Sequence, residues 1–282
     1  MTINNMINFL HTFNPSPILF SFGQINLYWY GFFILLGTLI AITVSLYLAK
    51  LYNIKTEIII DLAFWLIISG IIGARIYDVI LEWSYFSNHL LDIFKIWQGG
   101  LAIHGALIGG ALALYFYAKK YNYNFWQLAA ITITVLPIGQ AIGRFGNYFN
   151  QELFGYPTNL PWGIPIDIIH RPWQYFDYSY FHPAFLYESI GNLIIFLILI
   201  FIQIWFIKKQ KISTLNYKLF VVSYIFLYSL LRFFLEFIRI DETPIIFGWR
   251  FPQLLSLIII LLIFSFFVYK IWRKARRKPA LE

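Results

Sequence analysis

Seven apolar stretches, each long enough to cross a lipid bilayer, decide what this chain can fold into. They run over 27–48, 58–81, 101–117, 126–145, 184–206, 219–237 and 252–272. A helical crossing needs about 20 apolar residues, and a hydrocarbon core tolerates only helices or closed barrels. Of the 282 residues, 60% are hydrophobic and 12% charged, where a soluble domain carries roughly 25% charged residues. The sequence therefore predicts an all-α polytopic membrane protein with seven transmembrane helices, a single integral membrane domain over 1–282. The chain has no cysteine, which excludes disulfides, thiolate metal sites and a cysteine nucleophile of its own. Residues 1–20 lack the basic n-region of a cleavable signal peptide, so the first apolar helix is expected to remain.

Lysine and arginine placement orients the crossings. Lys50, Lys55, Lys119, Lys120, Lys208, Lys209, Lys211, Lys218 and Lys270 fall on one side with the basic tail 273–282. Only Lys95, Arg171, Arg239 and Arg250 fall on the other. The N-terminus is thus expected outside and the C-terminus inside. The net charge of +8 reads as a topology anchor on anionic inner-leaflet lipid rather than as a nucleic-acid surface. Between the fourth and fifth stretches, 148–181 is rich in proline and aromatics and reads as a small extracytoplasmic arm or head. The link 82–99 carries Trp83, Tyr85, Phe86 and Trp97, a belt suited to headgroup depth. No internal repeat or inverted pair of broken helices appears, which weakens a secondary-transporter reading.

Three arginines, Arg75, Arg144 and Arg232, lie inside the apolar stretches, each toward the outer end. Charge in that position is costly and is a site hypothesis by default. Cations gathered at one membrane face want an anion, and phosphate is the common one. The run 143–155 closes the fourth stretch with Arg144, Asn147, Asn150, Glu152 and glycines at 143, 146 and 155. Those glycines suggest a tight helix exit and close backbone approach to a ligand. A helix cap with an interfacial anchor is the plainer alternative. In the sixth stretch Tyr228, Arg232, Glu236 and Arg239 stand at i, i+4, i+8 and i+11, which stacks them on one helix face. They form either an intrahelical ion-pair ladder or a rigid fork for a phosphate, with Glu236 orienting Arg232.

His104 opens the third stretch beside Gly105 and Gly109, a small-xxx-small pair that permits close helix contact. A lone histidine there is either an interfacial residue or a base, since its ordinary pKa near 6.5 suits proton abstraction at neutral pH. Tyr30, beside Gly31, is first an aromatic-belt residue that could present its phenol inward. Glu188 follows His182-Pro183 at the start of the fifth stretch and is expected to partner an arginine. His11, His89, His104, His170 and His182 show no metal-ligand spacing, so a metal-free and cofactor-free reaction is expected.

Together these residues resemble the prolipoprotein diacylglyceryl transferases of bacteria, over essentially the whole chain. Gly99-Gly100 with His104-Gly105, the run 143–155, His182-Pro183 with Leu186-Tyr187-Glu188, and Arg232-Phe233 with Glu236 and Arg239 carry the likeness. Gly73-Ala74-Arg75 also fits, and Ala106 stands where the family often has a second glycine. The resemblance implies transfer of the diacylglyceryl group of phosphatidylglycerol to the lipobox cysteine of a prolipoprotein held by its signal peptide. It implies a multi-pass protein of the bacterial inner membrane with its active site toward the outer leaflet. His104, Arg144 and Arg232 are then the candidate catalytic residues. Tyr30, Asn147, Asn150, Glu152, Gly155, Tyr228, Glu236 and Arg239 are the candidate substrate-binding ones, with Glu152 and Glu236 orienting arginines. The competing class is an anionic phospholipid transporter or flippase. It should place polar sites at both faces or the midplane, whereas the inner halves of these stretches are nearly bare of charge apart from Asp61. A scaffold would not concentrate these residues on one side, and an intramembrane protease would need its own nucleophile or aspartate pair.

Overall fold

The computed structural model describes residues 9–23, 25–210 and 213–276. Seven long helices follow the seven apolar stretches: α1 Trp29–Leu51, α2 Thr56–Leu81, α3 Ile103–Lys120, α4 Phe125–Phe149, α5 Ala184–Lys208, α6 Thr214–Leu235 and α7 Phe251–Arg276. Six of them are long and apolar enough to cross a membrane. The exception is α3, only 18 residues long and interrupted by His104, three glycines and a closing Lys119-Lys120. The chain is a polytopic, mostly helical membrane protein. Lys211, Arg277 and Lys278 of the predicted basic segments lie outside the described residues.

Several helix limits differ from the expected ones, and two of the differences bear on the site. Helix α4 runs on to Phe149, so Tyr148 belongs to a helix and the inserted arm starts beyond it. Helix α6 ends at Leu235, two residues short of the expected limit. Three short antiparallel hairpins also appear in a chain predicted to be all helix: β1 Ile18–Phe22 with β2 Ile25–Tyr28, β3 Ile164–Pro165 with β4 Tyr180–Phe181, and β5 Ile245–Ile246 with β6 Trp249–Arg250. The strands are too short to leave a period-two signature among so many apolar residues.

The chain divides into two compact units. The first comprises 1–41, 134–203 and 219–282; the second comprises 42–133 and 204–218. In the first unit the arm packs Phe154, Ile164, Ile166 and Phe181 into one core with Tyr148 of α4 and Phe185 of α5. The N-terminal segment braces it. His11 stacks on Tyr180 at 3.8 Å, and Asn14 and Gln151 both donate to the Asp167 carboxylate. Those two bonds hold the Asp167 carboxyl below its ordinary pKa. Aromatic mass thus does for this small arm what disulfides do in secreted modules of similar size.

In the second unit α2 and α3 meet along a seam of small residues. A Cβ at Gly105 would fall 2.1 Å from the Gly73 carbonyl oxygen, and one at Gly109 would fall 2.2 Å from that of Ser69. The backbones touch with nothing between them, which is how helices associate where no hydrophobic force drives them together. Gly105→Ala therefore has to spread the pair apart. We expect a loss of stability of about 1–3 kcal/mol, the scale of overpacking, read as a lower melting temperature of the purified protein in detergent. Gly110→Ala, a position with open space around it, is the matched control.

Candidate active site

The first unit gathers its buried charge around one carboxylate. Glu188, on the first turn of α5, is 2% exposed. Its Oε1 accepts from Arg144 Nη2 of α4 at 2.7 Å. Its Oε2 lies 3.5 Å from Arg232 Nη1 of α6 and accepts from Arg239 Nη1 at 3.3 Å. The guanidinium groups of the fourth and sixth stretches therefore converge on a single acid, with Arg239 added from the segment after α6. A second buried carboxylate, Glu236, holds the far side of the cluster. It accepts from Arg232 Nη2 and, at 2.7 Å, from Arg250 Nε. Asp241 completes the ring, 2.7 Å from Arg239 Nε and 3.4 Å from Arg250 Nη2.

Four guanidinium groups thus share three carboxylates, leaving one positive charge uncompensated among them. From Arg144 the network turns outward. Its Nη1 donates to Asn147 Oδ1 at 3.1 Å, and Asn147 Nδ2 donates to Glu152 Oε1 at 2.7 Å. Asn150 donates to the same oxygen at 3.4 Å. Arg144 Nε is buried without a hydrogen-bond partner. The Tyr228 ring lies within electrostatic reach of Arg144, Glu188 and Arg232. The arrangement is suited to holding one more anion with charge-assisted bonds.

Several expectations need correction. Glu152 does not orient an arginine directly; it grips Asn147, which in turn grips Arg144. Arg239 does not share the helix face of Arg232, because α6 has ended. Arg239 instead forms an isolated antiparallel bridge with Gly155. There the Tyr156 N–H bonds to Ile238 O and the Gly155 N–H to His182 O, both at 2.9 Å. A Cβ at Gly155 would strike Ile238 Cγ2 at 2.6 Å and His182 Cβ at 2.9 Å, so glycine at 155 lets the bridge close. The glycines at 143 and 146 do not shape a helix exit either, since both lie within α4. A Cβ at Gly146 would reach Tyr30 Cδ2 at 2.7 Å, so this glycine is where the Tyr30 ring packs. The turn itself is made by Gln151 and Leu153, with φ of 52° and 55°.

Arg75 is the largest correction. It belongs to the second unit, and all three of its guanidinium nitrogens are taken. Nε donates to Ile93 O at 2.9 Å, Nη1 to Gly99 O at 2.9 Å and Gly100 O at 3.0 Å, and Nη2 to Asp92 O. Asp78 lies 3.4 Å away and the Phe86 ring centroid 5.0 Å away. This arginine binds its own chain, not a phosphate. A Cβ at Gly100 (φ +72°) would meet Arg75 Nη1 at 2.4 Å, so the Gly99-Gly100 pair exists to wrap a guanidinium. His104 follows in the first turn of α3 of the same unit, exposed, its ring 5.8 Å from that of Tyr77. Arg250 and Asp241 were not foreseen. Both sit in what reads as an ordinary polar loop, and the only hint is a run of charge, Arg239, Asp241 and Glu242, directly after an apolar helix. Among the described residues no group of three His, Asp or Glu side chains is placed to hold a metal ion.

The sequence profile described as prolipoprotein diacylglyceryl transferase matches residues 17–269. The chain belongs to the prolipoprotein diacylglyceryl transferase family. Relatives named phosphatidylglycerol–prolipoprotein diacylglyceryl transferase are similar along most of its length. The Nostoc protein is 45% identical over 237 residues, covering 83% of this chain and 82% of its own. The Synechocystis protein is 40% identical over 250 residues, covering 88% and 87%, and the Thermotoga maritima protein 43% over 255 residues, covering 90% and 84%. Membership in this transferase family gives the arginine cluster a chemical context, since the named lipid of its relatives is a phosphodiester.

Two measurements test the cluster itself. Glu188→Gln keeps the shape of the side chain and removes the charge that three guanidinium groups share. We expect a cost of about 3–5 kcal/mol, the scale for breaking a buried ion pair, seen as a large drop in melting temperature. Asp241 tests the outer part of the ring. Burial would raise its pKa, but the hydrogen bond and charge of Arg239, with Arg250 beyond, outweigh that and hold the carboxyl below its ordinary value. A depressed native pKa stabilises fully above the unfolded value of about 3.9 and ceases to do so as pH falls through the native value. The fluorine signal of a fluorotryptophan at Trp249 should therefore stay constant above pH of about 5 and change below about 4.

Proposed function

We propose that this chain transfers the sn-1,2-diacylglyceryl group of phosphatidylglycerol to the lipobox cysteine thiol of prolipoproteins, the first step of their maturation. The observation that carries the reading is the ring of arginines held on Glu188, with one positive charge to spare, in a member of this transferase family. The substrate sulfur attacks the glyceryl carbon as the carbon–oxygen bond to phosphate breaks. The bonding pair leaves with the oxygen, a thioether forms and glycerol phosphate departs. The thiol proton goes to a base. Only a few per cent of a thiol with a pKa near 8.5 is thiolate at neutral pH, so a positioned base contributes about 10²–10⁴-fold.

In this reading Arg144 and Arg232 bind the phosphate and hold it more tightly as its charge grows, which is the condition for catalysis. His104 is the candidate base on its ordinary pKa. Tyr30, Asn147, Asn150, Gly155 and Tyr228 line the substrate site, Glu152 fixes Asn147, Glu236 fixes Arg232, and Arg239 binds the headgroup or governs its release. No metal or cofactor is required by these steps. We further propose seven crossings in one integral membrane domain, with α3 as the third: 18 helical residues span about 27 Å, near the ~30 Å hydrocarbon core. The lysine and arginine distribution supports an outward N-terminus, an inward C-terminus, residence in the bacterial inner membrane and a site facing the outer leaflet.

The test is a transfer assay with labelled phosphatidylglycerol and a lipobox peptide. Wild type should give thioether-linked label. Arg144→Ala and Arg232→Ala should each lose about 10²–10³-fold in turnover, as for a lost oxyanion-hole donor, while the membrane fraction still contains the protein. Normal rates in both variants would overturn the reading, as would label that changes leaflet without joining the peptide. His104→Gln should fall about 10²-fold or more; near-normal turnover would move the base elsewhere.

A further inference from the structure

A concavity of about 690 Å³ lies in the second unit, between α2 and α3. Its origin is the small-residue seam. Where Ser69, Gly73 and Gly109 bring the two backbones into contact, no side chains fill the space above them, and a trough is left between two ridges. Ile72 and Ile76 form one ridge, Leu112 and Phe116 the other, each more than half exposed. From Trp65 to Ile80 the trough follows α2 for about 22 Å at 1.5 Å per residue, more than the depth of one leaflet, about half of a ~30 Å core.

The lining is mostly apolar, and its one charged group stands at one end. There Lys120, the last residue of α3, is the single charged side chain facing the groove, with its ammonium 5.2 Å from the Tyr121 ring centroid. Lys119 precedes it, and no carboxylate lines the groove. Apolar walls alone select nothing inside a membrane, because lipid tails are as apolar as leucine. Selection falls to the cation. We propose that this groove is a binding site for an anionic phospholipid, one acyl chain lying along the seam and the phosphate on Lys120.

The same charge argues against other occupants. A signal peptide would bring its basic n-region to a lysine pair at the groove's end. A second copy docked by two-fold symmetry would set Lys120 against its own mate. Within the second unit the charged end of the groove lies at the opposite end of α3 from the candidate base: His104 opens α3 and Lys120 closes it.

The experiment uses the full chain in nanodiscs that mix phosphatidylserine with phosphatidylcholine, with bound lipid counted by native mass spectrometry. Phosphatidylserine is anionic but is not the proposed substrate, so the result does not depend on turnover. Wild type should retain the anionic lipid with a roughly fivefold preference, the amount one lysine supplies at a lipid surface. Lys120→Gln should keep the bound lipid and lose the preference. Ala113→Phe, which fills the groove from its lining, should lose bound lipid of both kinds. An unselective wild type, a Lys120→Gln protein that still prefers phosphatidylserine, or cross-linking of Phe116 to a second copy would overturn the proposal.

Discussion

A carboxylate almost withdrawn from solvent, Glu188, makes the rest of this site possible. Three guanidinium groups from different parts of the chain approach it within 3.5 Å. Without it they would repel one another: two like charges 4 Å apart cost about 4 kcal/mol at an effective dielectric of 20. One acid placed among them turns that repulsion into attraction and fixes where each planar fork can point. Its location follows from local rules. Pro183 is suited to the start of a helix, and Glu188 comes one turn into α5, where its backbone is rigid. Glu236 repeats the device on the opposite side, so Arg232 is held by two acids and has little rotamer freedom left to lose when an anion arrives.

Arginine serves two different ends in this chain, and counting donors separates them. Arg75 has given every nitrogen to backbone carbonyls or Asp78, so it stabilises a link that has almost no regular structure of its own. That link makes short turns through 83–98, and Arg75 gives a partner to the carbonyls at 93, 99 and 100 and a second one to that at 92, which also accepts from the Lys95 N–H. Arg144 is the opposite case. It reaches Glu188 and Asn147 and still keeps a buried Nε with no acceptor. Leaving a buried donor unpaired has a cost the fold would otherwise avoid, and in the proposed function that donor is kept for a ligand.

This distinction explains what could be read from the sequence and what could not. The helices were legible because apolar runs of bilayer length have few other solutions. Arg144, Arg232 and Glu188 were legible because charge in such runs is rare enough to demand a partner. The fate of Arg75 was not, because its partners are carbonyls, which every residue carries and no residue advertises. The glycines were misread for a related reason. Gly146 and Gly155 look like turn residues, but what requires them is the Tyr30 ring and the turn at Ile238, neither of them near in sequence. Conversely, the left-handed turn after α4 fell to Gln151 and Leu153, residue types that do not signal it. Arg239 was placed on a helix because spacing rules assume that the helix continues, and α6 stops four residues earlier.

The early end of α6 has a chemical consequence. Had the helix continued, Arg239 would have stayed on the ladder of Arg232 and Glu236, and its charge would have been consumed within one element. By leaving the helix, the chain carries Arg239 to the bridge with Gly155, where it spans Glu188 and Asp241, and brings Arg250 back onto Glu236 through the β5–β6 hairpin. An intrahelical ion-pair ladder thus becomes a ring drawn from α4, α5, α6 and the loop before α7. A ladder would only neutralise itself. In the proposed function, a ring with more cations than acids, fixed before any ligand arrives, would meet a phosphate whose charge grows during bond breaking without first reorganising, and that is where electrostatic catalysis has its largest effect.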